Sequence, residues 1–197
     1  MPAPTILDNQ SRFNNASSSD VVADRPTTVV NGQWLAVQLL FPGSLDVSAA
    51  PTGWDAVPFA FETNGSAAWR SKVYLKKITD ALSEPTSYTW TLTGAATVST
   101  ADILRLSDAA STPVDVHSSA QIVAGDANCT APSLTTSGAD ELLLYFGSVG
   151  QNQSWTPDAN MAEVYDLFTA IVVNDRGVFR SEPEQFLDGR RSLRTCF

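Results

Sequence analysis

WRSKVYLKKITDALSEPTSYTWTLTGAATVSTADILRL, residues 69–106, reads as three β-strands in succession joined by polar turns. The middle segment decides it. Tyr88, Trp90 and Leu92 alternate with Thr89, Thr91 and Thr93, a period of two with one large apolar face and one β-branched polar face. Leu82-Ser83-Glu84-Pro85 supplies the first link and Thr93-Gly94-Ala95 the second. The segment is expected to form a meander to which the other strands add.

Upstream, QWLAVQLLF at residues 33–41 places Leu35, Val37, Leu39 and Phe41 on one face and Trp34, Ala36, Gln38 and Leu40 on the other. Both faces are apolar enough for a central strand covered on two sides. A turn at Pro51-Thr52-Gly53 follows, with Trp54 over the end of the core. A short strand at residues 56–61 is interrupted by Pro58, and Asn64-Gly65 signals a hairpin. Downstream, Val114-Asp115-Val116, residues 131–136, residues 140–149, residues 161–167 and residues 169–174 read as further strands. No segment carries a helical stripe of useful length. The expected fold is all-β: an antiparallel β-sandwich or jelly roll over residues 28–175. Residues 1–27, rich in Ser, Asn, Asp and Pro, read as an extended N-terminal arm, with a short strand near residues 4–7. Residues 176–197, charged and Arg-rich, read as an irregular C-terminal tail.

The totals exclude several classes. A formal charge of −9 argues against nucleic acid, whose phosphates need clustered cations. Arg70, Lys72, Lys76 and Lys77 form the one basic cluster in a strand region, read as a solvated sheet face or a contact for an acidic partner. No run approaches the ~18 apolar residues of a membrane span. Residues 1–20 lack the basic and apolar regions of a signal peptide. The chain is therefore expected to stay soluble unless it leaves the cell within a particle. The Asn-x-Ser/Thr triplets at Asn15, Asn64, Asn128 and Asn152 then read as ordinary polar loops. Cys129 and Cys196 are too few for a disulfide framework.

No catalytic constellation stands out by residue type. His117 is the single histidine, no Ser is framed as Gly-x-Ser-x-Gly, and the chain reads as no enzyme. Asp158, Asn160, Glu163 and Asp166 offer oxygen atoms, but their spacing matches no calcium loop, so no metal or other cofactor is expected. Trp54, Trp155 and Tyr165 lie at or near loops, where they either cap the core or stack on a sugar ring.

Six phrases occur in order: residues 32–41, Pro51-Thr52-Gly53-Trp54-Asp55-Ala56-Val57, Val73-Tyr74-Leu75-Lys76, Glu84-Pro85-Thr86-Ser87-Tyr88-Thr89-Trp90, Ile103-Leu104-Arg105-Leu106 and Pro113-Val114-Asp115-Val116. Thr130-Ala131-Pro132-Ser133 and Trp155-Thr156-Pro157 extend the series. Over residues 30–173 it resembles a jelly-roll-like β-sandwich module of phage virion proteins, found in capsid decoration or cement proteins and in tail fibres. The resemblance implies a non-enzymatic virion structural protein, assembled in the host cytoplasm. Standing nearly alone between its tails, the module looks like a decoration protein. It would be a homo-oligomer bound to the major capsid protein or other virion proteins. The alternative is a tail-fibre or surface module that binds a receptor or glycan.

Overall fold

The computed structural model describes residues 4–14, 16–57, 69–117, 119–120, 135, 137, 141–149, 161–166, 175–181 and 194–196. These residues form strands, turns and irregular segments, with no helix among them. The chain divides into two compact units, Pro4–Ala109 and the part from Ala110 onward, where the sequence suggested one body over 28–175.

The first unit is a β-sandwich of two antiparallel sheets. One has five strands: β1 (Thr5–Asn14), β8 (Ser99–Ser107), β3 (Trp34–Pro42), β6 (Trp69–Lys77) and β5 (Asp55–Ala56), in that order across the sheet. The other has three: β2 (Ser18–Asp24), β7 (Ser87–Ala96) and β4 (Val47–Ala49). The alternation read from the sequence sets which side chains meet between them. Leu35, Val37, Leu39 and Phe41 of β3, Tyr74 of β6, and Ala101 and Ile103 of β8 pack against Val21 and Ala23 of β2 and Tyr88, Trp90 and Leu92 of β7. The opposite face of β3 is dry as well. Trp34, Ala36, Gln38 and Leu40 are all buried, and the Gln38 amide donates to the Ser71 hydroxyl at 3.1 Å.

The meander expected over residues 69–106 does not form, although its three strands do. β6 pairs with β3 and β5, β8 pairs with β1 and β3, and β7 lies in the facing sheet. Period-two patterning shows which face of a strand is apolar, and strands facing one another satisfy it as well as strands side by side. This segment therefore crosses the sandwich twice, between β6 and β7 and again between β7 and β8.

The expected arm is also part of the body. β1 pairs with β8 along its whole length, from Thr5 opposite Ser107 to Asn14 opposite Ser99, and β2 pairs with β7. The short strand expected near residues 4–7 is the start of β1, and composition hides the rest of β1 and all of β2. β1 is an edge strand with no fully buried side chain, so backbone bonding rather than an apolar stripe holds it. β2 contributes only Val21 and Ala23 to the core, both 0% exposed.

The second unit contains β9 (Ser119–Ala120), β10 (Leu144–Val149), β11 (Met161–Asp166), β12 (Asp175–Ser181) and β13 (Arg194–Cys196), in the order β11-β12-β10-β13-β9. β13 runs parallel to its neighbours β10 and β9, and the other pairs are antiparallel. The tail expected to be irregular thus supplies two strands. Its Arg-rich composition masks a strand that bonds through the backbone on both sides. Residues 114–116, expected as a strand, are irregular. Asp115 there accepts bonds from the backbone N–H and the hydroxyl of Ser137, both at 2.7 Å, a side-chain cap that competes with strand pairing. The strands expected at 131–136 and 169–174 and the Asn64-Gly65 hairpin lie outside the described residues, as does the strand expected at 56–61 beyond Val57.

Deleting residues 1–27 removes Val21 and Ala23 from the core and strips β7 and β8 of a partner. The truncated chain is expected to lose its cooperative thermal transition and its near-ultraviolet circular dichroism, rather than remain a folded sandwich without an arm.

Candidate functional site

Trp90 is wholly enclosed. Trp54 meets it edge-on with ring centroids 5.0 Å apart, Tyr74 lies 5.9 Å away and Tyr88 6.4 Å away. Trp54 also meets Tyr88 edge-on at 5.0 Å. Such pairs contribute about 0.5–1.5 kcal/mol each beyond their buried area. The turn that delivers Trp54 needs a left-handed residue, and Gly53 takes it with φ of 81°.

A polar knot lies beside this aromatic cluster. The Lys76 ammonium donates to the Thr52 carbonyl at 3.2 Å, faces the Glu84 carboxylate at 3.4 Å and sits over the Tyr88 ring at 5.6 Å. The Tyr88 hydroxyl donates to Glu84 at 2.7 Å. The Lys76 and Glu84 side chains keep only 13% and 8% of their exposure. Burial first, then the bond to Glu84 and that residue's negative charge, pushes the Tyr88 phenol up from its ordinary value. Above the knot opens a cavity of about 360 Å³, lined in part by Pro51, Thr52, Lys76, Glu84, Pro85 and Tyr88. Lys76, Glu84 and Tyr88 all spend bonds on holding the 51–54 turn and the 84–88 entry to β7 onto β6. The arrangement is a clasp rather than a set of groups aimed at a ligand.

A second clasp stands at the other end of β6. The backbone of Asp46 is bonded to Thr93 of β7 in both directions, and its carboxylate takes Lys72 and, at 3.1 Å, Arg70. Desolvation raises the Asp46 carboxyl. The bonds from Lys72 and the Val47 N–H, with the charges of Lys72 and Arg70, outweigh that and hold it below 3.8. The basic cluster read as a solvated face or an acidic-partner contact thus finds its acids within the chain, Asp46 and Glu84. Lys77 lies over the Trp34 ring at 5.9 Å.

The three residues read as sugar-stacking candidates fall in different parts of the chain. Trp54 is 5% exposed and belongs to the core. Tyr165 lies in β11 of the second unit, opposite Val178, and Trp155 is outside the described residues. Glu163 and Asp166 are also in β11, whereas Asp158, Asn160 and Cys129 are outside the described residues. Cys196 pairs with Gly147 and Ala120 in the mixed sheet. Among the described residues no three His, Cys, Asp or Glu side chains converge on a metal position. Sequence reasoning missed the two clasps. Their signal was an acid beside a turn, Asp46 and Glu84, matched to cations spaced along one strand. No known protein family, curated protein or solved structure matches the chain.

Glu84→Gln leaves Lys76 with a neutral partner in a nearly closed site and is expected to cost about 2–3 kcal/mol in urea unfolding. Gly53→Ala, which forces a side chain into the left-handed region and toward the Lys76 ammonium, is expected to cost about 1–2 kcal/mol. Burial and the charge of Asp46 push the Tyr74 phenol up from 10.0 to about 12. Because the folded value lies above the unfolded one, this stabilisation is complete below pH 10 and is lost as pH rises toward 12. The urea midpoint is expected to fall across that window, and to fall less in Tyr74→Phe.

Proposed function

We propose that the chain is a non-enzymatic structural protein of a phage virion: a decoration or cement protein that binds the outer face of the capsid through contacts between subunits. The observation that carries this reading is the convergence of the ordered phrases. Pro51-Thr52-Gly53-Trp54, Tyr74-Leu75-Lys76 and Glu84-Pro85-Thr86-Ser87-Tyr88-Thr89-Trp90 are scattered over 40 residues of sequence, yet they form one body of contacts around Trp90. Phrases that meet in space behave as one structural signature, and the reading rests on that signature. The polar groups of that signature are directed at one another, as a load-carrying scaffold requires. The virion, assembled in the host cytoplasm, is the setting this reading implies, with the major capsid protein as partner.

The N-terminal segment has a different role from that of a detachable arm. Its strands are integral, so shell contact falls to the surface of the folded units. Purified protein mixed with empty phage capsids is expected to co-sediment in fixed stoichiometry, while protein alone stays in the supernatant. Folded protein that remains in the supernatant with capsids present would remove the decoration reading and turn attention to a glycan screen.

A further inference from the structure

We propose that β1 is the docking edge for a second copy of this chain, which pairs with it antiparallel about a two-fold axis at Gln10. β1 is the outermost strand of the five-stranded sheet and its ten residues have β8 on one side. Among the described residues no strand lies on its other side. Exposed edges of this length offer a row of backbone donors and acceptors, and proteins ordinarily blunt them with Lys, Pro, short strands or bulges. The other edges of this unit are blunted: β5 has two residues, β4 has three and a register shift, and β2 carries Asp20 and Asp24 and a register shift of its own. β1 has neither Lys nor Pro, and its one irregularity, between Ile6 and Asp8, is confined to its start.

The occupant follows from the order of residues along the strand. Leu7-Asp8-Asn9-Gln10-Ser11-Arg12-Phe13 runs apolar, acidic, polar, Gln, polar, basic, apolar. Folded back on itself about Gln10, it sets Asp8 against Arg12 of the second copy and Asn9 against Ser11, and brings Leu7, in the bulge, to the end occupied by Phe13. Opposite charges and apolar pairs facing each other each stabilise an antiparallel ladder. The ends of the strand are prepared for this. Leu7, in the bulge, is 42% exposed, one of three large apolar side chains left open among the described residues. Asp8 already faces Arg105 at 3.4 Å and Arg12 faces Asp24 at 2.7 Å, each pair still open to solvent. Pairing would link them into a row of alternating sign, Arg105, Asp8, Arg12 and Asp24, running from one copy into the other. A self-complementary patch of this kind closes as a two-fold dimer and leaves no edge for growth.

The dimer does not rest on the virion reading, and its test uses the purified full chain without capsids. Sedimentation equilibrium is expected to give a concentration-dependent species of twice the 21.1 kDa chain mass. Leu7→Lys should return it to the single-chain mass with an unchanged melting transition. With Cys129 and Cys196 replaced by Ser, Gln10→Cys should form a disulfide dimer under mild oxidation, because opposed Cα atoms of an antiparallel pair lie about 4.5–5.5 Å apart. Thr5→Cys in the same background should not, since its partner would lie about 34 Å away at ~3.4 Å per residue. A wild-type chain that stays at single mass at every concentration overturns the proposal. So does a dimer that survives Leu7→Lys, or that cross-links at Thr5 rather than Gln10.

Discussion

The sandwich depends on keeping Trp90 dry on every side. A side chain of that size at the centre of a three-stranded sheet cannot be covered by the facing sheet alone. Tyr74 and Tyr88 flank it, and Trp54 reaches it from a turn outside either sheet's interior. A turn is a weak place from which to hold an aromatic lid, so its position has to be enforced from elsewhere. The Lys76 ammonium does this by binding the Thr52 carbonyl while anchored to Glu84 and Tyr88. Core packing and charge pairing are thus one device. The aromatic cluster closes one side of the ion pair, and the ion pair holds the lid that keeps the cluster dry.

The same logic explains why β6 carries cations on an inward-facing side. Tyr74 is the β6 residue that enters the core, and the residues on the same face to either side of it are cations. Arg70 and Lys72 at one end and Lys76 at the other cover that face with their stems and bind acids projected from the smaller sheet's side. Asp46 joins the sheets directly: its backbone belongs with β7 and its carboxylate with β6. The charges sit where hydrophobic contact runs out.

Much of the fold was legible in the sequence, and the limits have physical causes. The alternation in Tyr88-Thr89-Trp90-Thr91-Leu92 marked a strand and its buried face, and residues 34–41 announced a strand covered on both sides. Neither pattern carries information about neighbours, so the strands of residues 69–106 were read as adjacent when they face one another across the core. Only the start of β1, near residues 4–7, is legible, and β12 and β13 are not, because a strand held by backbone bonds needs no apolar period, and DNQSRFN and DRGVFRS show none. Trp54 was legible as a cap on the core. Its rival reading as a sugar platform arose because a turn residue looks exposed until the strand beneath it is known. The clasps were present as ordinary charged residues, Lys76 and Glu84, whose pairing is spatial.

The pairing of β1 with β8 sets the order of biosynthesis against the order of folding. Thr5 and Ser107, whose hydroxyls lie 2.6 Å apart, are separated by 102 residues of chain. At ~5–20 residues per second, β1 leaves the ribosome roughly 5–20 s before the strand that completes it. During that interval both of its edges are open, and Val21 and Ala23 have no core to enter. The pairs β3–β6 and β2–β7 need nothing beyond Ala96, but the five-stranded sheet stays in two pieces until β8 is made. It closes in one late step, when the segment beginning at Ser99 emerges and joins β1 to β3.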